Sequence, residues 1–102
     1  MQLVEILLPL YDEAGRQWPQ SAFDTVRTEL TERFGGVTAF TRSPAVGLWE
    51  DPAGRLRRDD VIVIEVMAEE LDRAWWARYR RELEARFHQQ ELVVRSVGCE
   101  RL

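Results

Sequence analysis

The sequence predicts an α+β fold of the ferredoxin-like type, with two helices on one face of a four-stranded antiparallel sheet. Strand and helix patterns alternate in the order βαββαβ, and the two halves of the chain are about equally long with no linker between them. Helices that cross between strands of one sheet lie on the same face, because such crossovers have one handedness. Residues 1–102 are therefore expected to form a single domain.

The first half of the chain contains a strand, a helix and a second strand. Residues 2–10 alternate in the way that a strand requires. Ser21, with Asp24 three residues later, predicts the start of a helix. The apolar residues of that helix recur at spacings of three and four: Phe23, Val26, Leu30 and Phe34. The pair Gly35 and Gly36 ends it, and residues 37–42 form the second predicted strand.

The second half repeats this order. Residues 43–49 are predicted to be irregular and residues 51–54 to form a turn. Residues 61–68 are apolar on both parities, which indicates a central strand. A helix is predicted over residues 70–87 and a last strand over residues 92–97. The apolar residues of this helix are spaced by four: Leu71, Trp75, Tyr79, Leu83 and Phe87.

One face of the predicted sheet is left uncovered by helices. The parity that should face the helices contains Val4, Ile6, Leu8, Ile62, Ile64 and Val66. The opposite parity contains the apolar residues Leu3, Leu7, Phe40, Val63 and Met67, with Thr38, Val61, Val93 and Val97. It also contains four charged residues, which we predict to contact a ligand: Glu5, Glu65, Arg42 and Arg95. Trp49 is predicted to anchor the following hairpin and to join the interface.

An apolar patch of this size seldom stays exposed on a monomer. One explanation is a face-to-face homodimer in which the four charged residues form ion pairs. The other is a small pocket between the sheet and its partner, where the same charges contact an acidic or polar ligand. The two explanations are compatible, because a dimer of this kind can enclose a cavity.

Composition and missing motifs exclude several classes of function. The net charge of −4 argues against a nucleic-acid partner. The single cysteine, Cys99, fits a reducing compartment, and neither a signal peptide nor an apolar run of about 20 residues is present, so a cytoplasmic protein without a membrane partner is expected.

The residues needed for iron–sulfur, copper and zinc sites are missing, as is the stacking pattern of RNA-recognition modules on the third strand. We therefore expect no cofactor and no metal. The one histidine, His88, is expected at a helix end rather than in a catalytic site.

Several segments resemble a family of small bacterial ferredoxin-like proteins with no assigned function. They are Phe34-Gly35-Gly36-Val37-Thr38, Gly47-Leu48-Trp49, Pro52-Ala53-Gly54-Arg55 and Val61-Ile62-Val63. The layout is also similar, more distantly, to dimeric α+β barrel proteins, which include small monooxygenases and isomerases. These resemblances imply the fold and leave the activity open.

Two hypotheses of function follow. The main interpretation is a non-catalytic homodimeric domain that binds a small ligand or a protein partner through its open sheet face. The alternative is a small cofactor-free enzyme, monooxygenase-like or isomerase-like, with a dimer cavity in which Glu5 or Glu65 acts as the base.

Overall fold

The computed structural model describes residues 1–40, 46–50 and 56–102, and the side chains of residues 1–38 and 61–102. Within these residues the chain forms five strands and two helices. In chain order they are β1 (Gln2–Pro9), α1 (Gln20–Phe34), β2 (Thr38–Phe40), β3 (Val46–Glu50), β4 (Leu56–Ala68), α2 (Arg73–Arg86) and β5 (Val94–Gly98).

The strands form an antiparallel sheet in the order β2-β4-β1-β5. The predicted α+β class, with two helices and an antiparallel sheet, is confirmed. The prediction of four strands missed β3, which pairs with residues 56–60 of β4. Residues 43–49 were expected to be irregular, yet Val46–Glu50 is extended. A hairpin after Trp49 was predicted but its strands were not, because charged residues fill positions 57–60 of β4 and leave no apolar alternation there.

The core lies between the sheet and the two helices, on the parity that the sequence predicts. Val4, Ile6 and Leu8 of β1 are at most 1% exposed. The buried residues of β4 on the same side are Ile62, Ile64 and Val66. The helices cover them with Phe23, Val26 and Leu30 from α1 and with Trp76, Tyr79 and Leu83 from α2. The opposite face of the sheet is therefore left without a helical layer.

The helices begin at other residues than the sequence patterns predict. Helix α1 begins at Gln20, after Pro19, and Ser21 makes no cap. Helix α2 begins at Arg73 instead of residue 70, because the Asp72 carboxylate accepts a hydrogen bond of 3.0 Å from the backbone N–H of Trp75. In the part of the chain that the structure describes, neither helix has the length and apolar character needed to cross a bilayer.

Candidate functional site

A row of polar side chains crosses the middle of the open sheet face. The register pairs Glu5 of β1 with Glu65 of β4 on one side and with Arg95 of β5 on the other. Glu65 is in turn paired with Thr38 of β2. Directly paired residues of antiparallel strands point to the same face, so these four side chains lie side by side. The structure thus brings together three of the four charged residues predicted to bind a ligand.

The two glutamates of this row have different surroundings. The Nε–H of Arg95 donates a hydrogen bond of 3.0 Å to Oε1 of Glu5, whose side chain is only 20% exposed. This charge-assisted bond holds Glu5 in place. Among the described side chains, no cation lies within ion-pair distance of Glu65. Among the described side chains, Glu65 is therefore the carboxylate of the row that has no ion-pair partner.

Apolar residues flank the polar row on both sides. Leu3 of β1 lies between Met67 and Val97 in one flanking row, and in the other Leu7 is paired with Val63 and donates its N–H to the carbonyl of Val93 at 3.0 Å. The outermost residues are strongly exposed, with Met67 at 47%, Val97 at 48% and Val93 at 49%. Among the described residues, the sheet face is therefore apolar on both sides of the polar row.

A groove of about 640 Å³ opens where this face meets the end of α1. Its apolar wall includes Leu3, Phe34 and Met67. Its charged groups are the carboxylates of Glu65 and Glu69 and the guanidinium of Arg101, and Thr38 adds a hydroxyl. The volume falls within the range of small-molecule sites, roughly 300–1,000 Å³. The groove can therefore hold an organic ligand with a positive charge near the two carboxylates.

The structure places the predicted site residues unevenly. Leu3, Leu7, Val63 and Met67 lie on the open face as predicted, although Val63 is only 9% exposed. Arg42 and the side chains of Phe40 and Trp49 lie outside the described residues.

The sequence analysis missed Glu69 and Arg101, which both line the groove. Glu69 continues the outward parity of β4 two residues beyond Met67, so that signal was present in the sequence. Arg101 lies near the end of the chain, outside any periodic element, and had no such signal.

A second charged cluster joins the two helices away from the open face. Two guanidinium nitrogens of Arg86 donate to the two carboxylate oxygens of Glu29 at 2.6 and 2.7 Å, and the Tyr79 hydroxyl donates to Glu29 at 3.0 Å. The Arg86 hydrogen bonds lower the pKa of Glu29, against the opposing effect of burial. Burial, followed by the charge of Glu29, raises the pKa of Tyr79 above its ordinary value. The cluster holds the helices together and contains no group that titrates near neutral pH.

Because of this cluster, the free energy of unfolding should depend on pH in the acid range. In the folded state the pKa of Glu29 is lowered from its ordinary 4.5. Its contribution to the free energy of unfolding is therefore complete above pH 4.5 and is lost as the pH falls through the folded-state pKa. Glu29→Gln should lower the free energy of unfolding by about 1 kcal/mol at pH 7 and by less at pH 3. Urea unfolding at the two pH values measures this. Glu82→Gln is the matched control with a smaller expected loss, and equal losses at both pH values for Glu29→Gln would contradict the assignment.

His88 and Cys99 are not part of the open-face groove. His88 follows α2 with a φ of 52°, and its Nδ1 lies 3.1 Å from Oε1 of the Glu13 carboxylate. This is the helix-end position that the sequence predicts. Cys99 is a free cysteine that follows β5. Within the described residues, no three His, Cys, Asp or Glu side chains are grouped to hold a metal ion.

No protein-family model matches the chain, and no curated protein matches it in sequence. Two solved structures share its fold. One is a phage SAM lyase in complex with S-methyl-5'-thioadenosine, at a TM-score of 0.62 and 16% identity over 95% of this chain and 80% of the other. The second is a phage SAM lyase in the apo state, at a TM-score of 0.51 and 16% identity over 99% and 91% of the two chains. At this identity the likeness is one of fold.

The comparison corrects the main functional interpretation drawn from the sequence. That interpretation was a non-catalytic homodimeric binding domain, whereas the two solved structures reported above are both of a SAM lyase, which is an enzyme. The main interpretation is therefore wrong, and the alternative of a small enzyme agrees better with the finding. The sequence contains an apolar patch that favours a binding domain and no catalytic motif that favours an enzyme. For this reason the binding domain was ranked ahead of the enzyme. The resemblance to small bacterial ferredoxin-like proteins stays a prediction.

Proposed function

We propose that this chain is a small enzyme that acts on S-adenosylmethionine (SAM) or a related sulfonium nucleoside in the open-face groove. The observation that carries the proposal is a groove with two carboxylates, Glu65 and Glu69, on a fold shared with a SAM lyase over 95% of the chain. The strand order β2-β4-β1-β5 supports a ferredoxin-like topology, extended by the β3 hairpin.

The charges of the groove suit such a substrate. SAM carries a permanent positive charge on its sulfur, and Glu65 and Glu69 supply opposite charge beside an apolar wall, where solvent screening is reduced. Leu3, Phe34 and Met67 offer apolar contact to the nucleoside. Arg101 offers its guanidinium to the carboxylate of the amino-acid part. The net charge of −4 also favours the approach of a cation.

The reaction needs no redox cofactor. S-methyl-5'-thioadenosine is what remains of SAM when the bond from sulfur to the amino-acid carbon chain breaks. The electron pair of that bond stays on sulfur, which leaves as a neutral thioether. As that bond breaks, the carbon chain either loses a proton from the neighbouring carbon or accepts a nucleophile at the carbon that the sulfur leaves. Glu65, unpaired by any described cation, is assigned the position beside the sulfonium, where it orients the substrate and can accept a proton.

Incubation of the purified chain with SAM tests this proposal. Reversed-phase chromatography should show S-methyl-5'-thioadenosine accumulating in proportion to protein concentration, above the rate of spontaneous SAM breakdown. Accumulation no faster than in protein-free buffer, at protein concentrations up to that of SAM, would reject the proposed activity.

A second copy of the chain is proposed to cover the rest of the open face. The exposed Met67, Val93 and Val97 form the apolar surface that the second copy would cover. Such a homodimer would close the groove from one side and exclude water from the substrate.

Replacing Val97 with aspartate should break this dimer. Val97 is 48% exposed in the single chain, so the substitution costs the monomer little while placing a charge in the apolar contact. Light scattering after size exclusion should give twice the 12.0 kDa mass for the parent chain and one chain mass for the variant. Val97→Thr, which has nearly the same shape and no charge, should remain dimeric. A monomeric parent chain would contradict the proposed dimer.

A further inference from the structure

A second groove, of about 220 Å³, lies between α2 and the edge strand β5. Its floor includes Val4 and the buried Trp76, and Ser96 adds a hydroxyl. Arg73 and Arg80 of α2 line it; Arg95 of β5 also borders it, but its guanidinium is bound to Glu5 on the open face. It shares no described lining residue with the open-face groove.

Arg73 and Arg80 place two positive charges at this groove in a chain of net charge −4. Among the described lining residues there is no carboxylate to balance them. Arg95 gives its Nε–H to Glu5, whereas Arg73 and Arg80 have no ion-pair partner among the described side chains. Like charges placed together without a counter-ion repel each other, so this arrangement favours a bound anion.

The Nε of Arg80 gives a second, independent indication. This atom is buried and has no hydrogen-bond partner among the described residues. A buried N–H without a partner costs free energy, and native proteins usually supply an acceptor for it. The guanidinium fork matches the geometry of carboxylate and phosphate oxygens. The volume holds only a small ligand, since each water occupies about 30 Å³.

We propose that this groove binds a small oxyanion, a carboxylate or a phosphate, through Arg80 with Arg73 and Ser96. The bound oxygen accepts the Nε–H of Arg80, and Arg73 at the start of α2 neutralises the remaining charge. Trp76, which also lines the groove, provides the apolar part of the site. The site does not depend on the proposed activity toward SAM.

Titration of the ¹⁵N-labelled chain with sodium phosphate or with sodium succinate, at constant ionic strength set with sodium chloride, tests the proposal. Arg80→Lys keeps the charge and removes the Nε–H, so its spectrum identifies the Arg80 signal. That signal should shift and saturate in the parent chain. Calorimetry should show binding weakened about tenfold or more in Arg80→Lys, since one charge-assisted hydrogen bond is lost. Arg78→Lys, on the same helix but outside the groove, should bind as the parent does.

The outcomes separate the possible ligands. Saturation with phosphate alone assigns a phosphate-bearing ligand, and saturation with succinate alone assigns a carboxylate. Saturation with neither overturns the proposal. Equal weakening in Arg80→Lys and Arg78→Lys also overturns it, because the loss of binding would then not be specific to this groove. Circular dichroism of both variants confirms that they remain folded.

Discussion

Replacing Glu65 with glutamine is expected to lower kcat/KM for SAM by about a hundredfold or more. The amide has nearly the shape of the carboxylate but carries no charge, so it neither attracts the sulfonium nor accepts a proton. Glu65 is the row carboxylate without a described cation beside it, and it lines the open-face groove. Product formation from SAM, followed by chromatography over a range of substrate concentrations, gives kcat and KM separately.

Glu91→Gln is the matched control for this variant. Glu91 is exposed in the loop before β5 and lines neither of the two grooves described above, so its loss removes the same charge without touching the site. Its kcat/KM should remain within about twofold of the parent value. Equal losses in Glu65→Gln and Glu91→Gln would assign the effect to net charge and contradict the role given to Glu65.

Replacing Phe87 with alanine is expected to lower the free energy of unfolding by about 3–5 kcal/mol. Phe87 is 1% exposed and fills the core at the end of α2. Its ring meets the edge of Trp18 at a centroid distance of 5.3 Å and packs against Phe23 at 5.6 Å. Truncation leaves a cavity that three separate segments line, and they cannot all move inward to fill it. Urea unfolding measured by circular dichroism gives the difference.

Leu102→Ala provides the control for the Phe87 variant. Leu102 is fully exposed and lies outside the proposed dimer contact, so its truncation should change the free energy of unfolding by no more than about 0.5 kcal/mol. A loss below about 1 kcal/mol for Phe87→Ala would show that Phe87 does not occupy the packed position described here.

Alternation along β1 was enough to predict which residues face the core. Val4, Ile6 and Leu8 are buried, and Glu5, on the opposite parity, lies on the open face. A period of two leaves no other arrangement once one side is covered by helices. The pairing of Glu5 with Glu65 and Arg95 followed from the strand order usual for this arrangement, so that part of the site could be predicted as well.

Other features depend on contacts that no local pattern contains. The link from Glu29 to Arg86 joins residues 57 positions apart, and within α2 the sequence indicated only the pairing of Arg86 with Glu82. The second groove forms where α2 lies beside Val94, Arg95 and Ser96 of the edge strand β5, which no local pattern predicts. The Nε of Arg80 has no hydrogen-bond partner among the described residues, which is a property of packing and has no signal in the sequence.

Mapping of S-methyl-5'-thioadenosine binding by amide ¹H–¹⁵N spectra tests the central claim most directly. The proposed site predicts saturable shifts at Leu3, Thr38, Glu65 and Met67, together with the Gly35–Gly36 end of α1, and none at the Arg80 groove. Glu65→Gln should keep the same pattern, since this ligand is a neutral thioether. Saturable shifts confined to other residues, or no shifts at millimolar ligand, would contradict the assignment of the open-face groove as the active site.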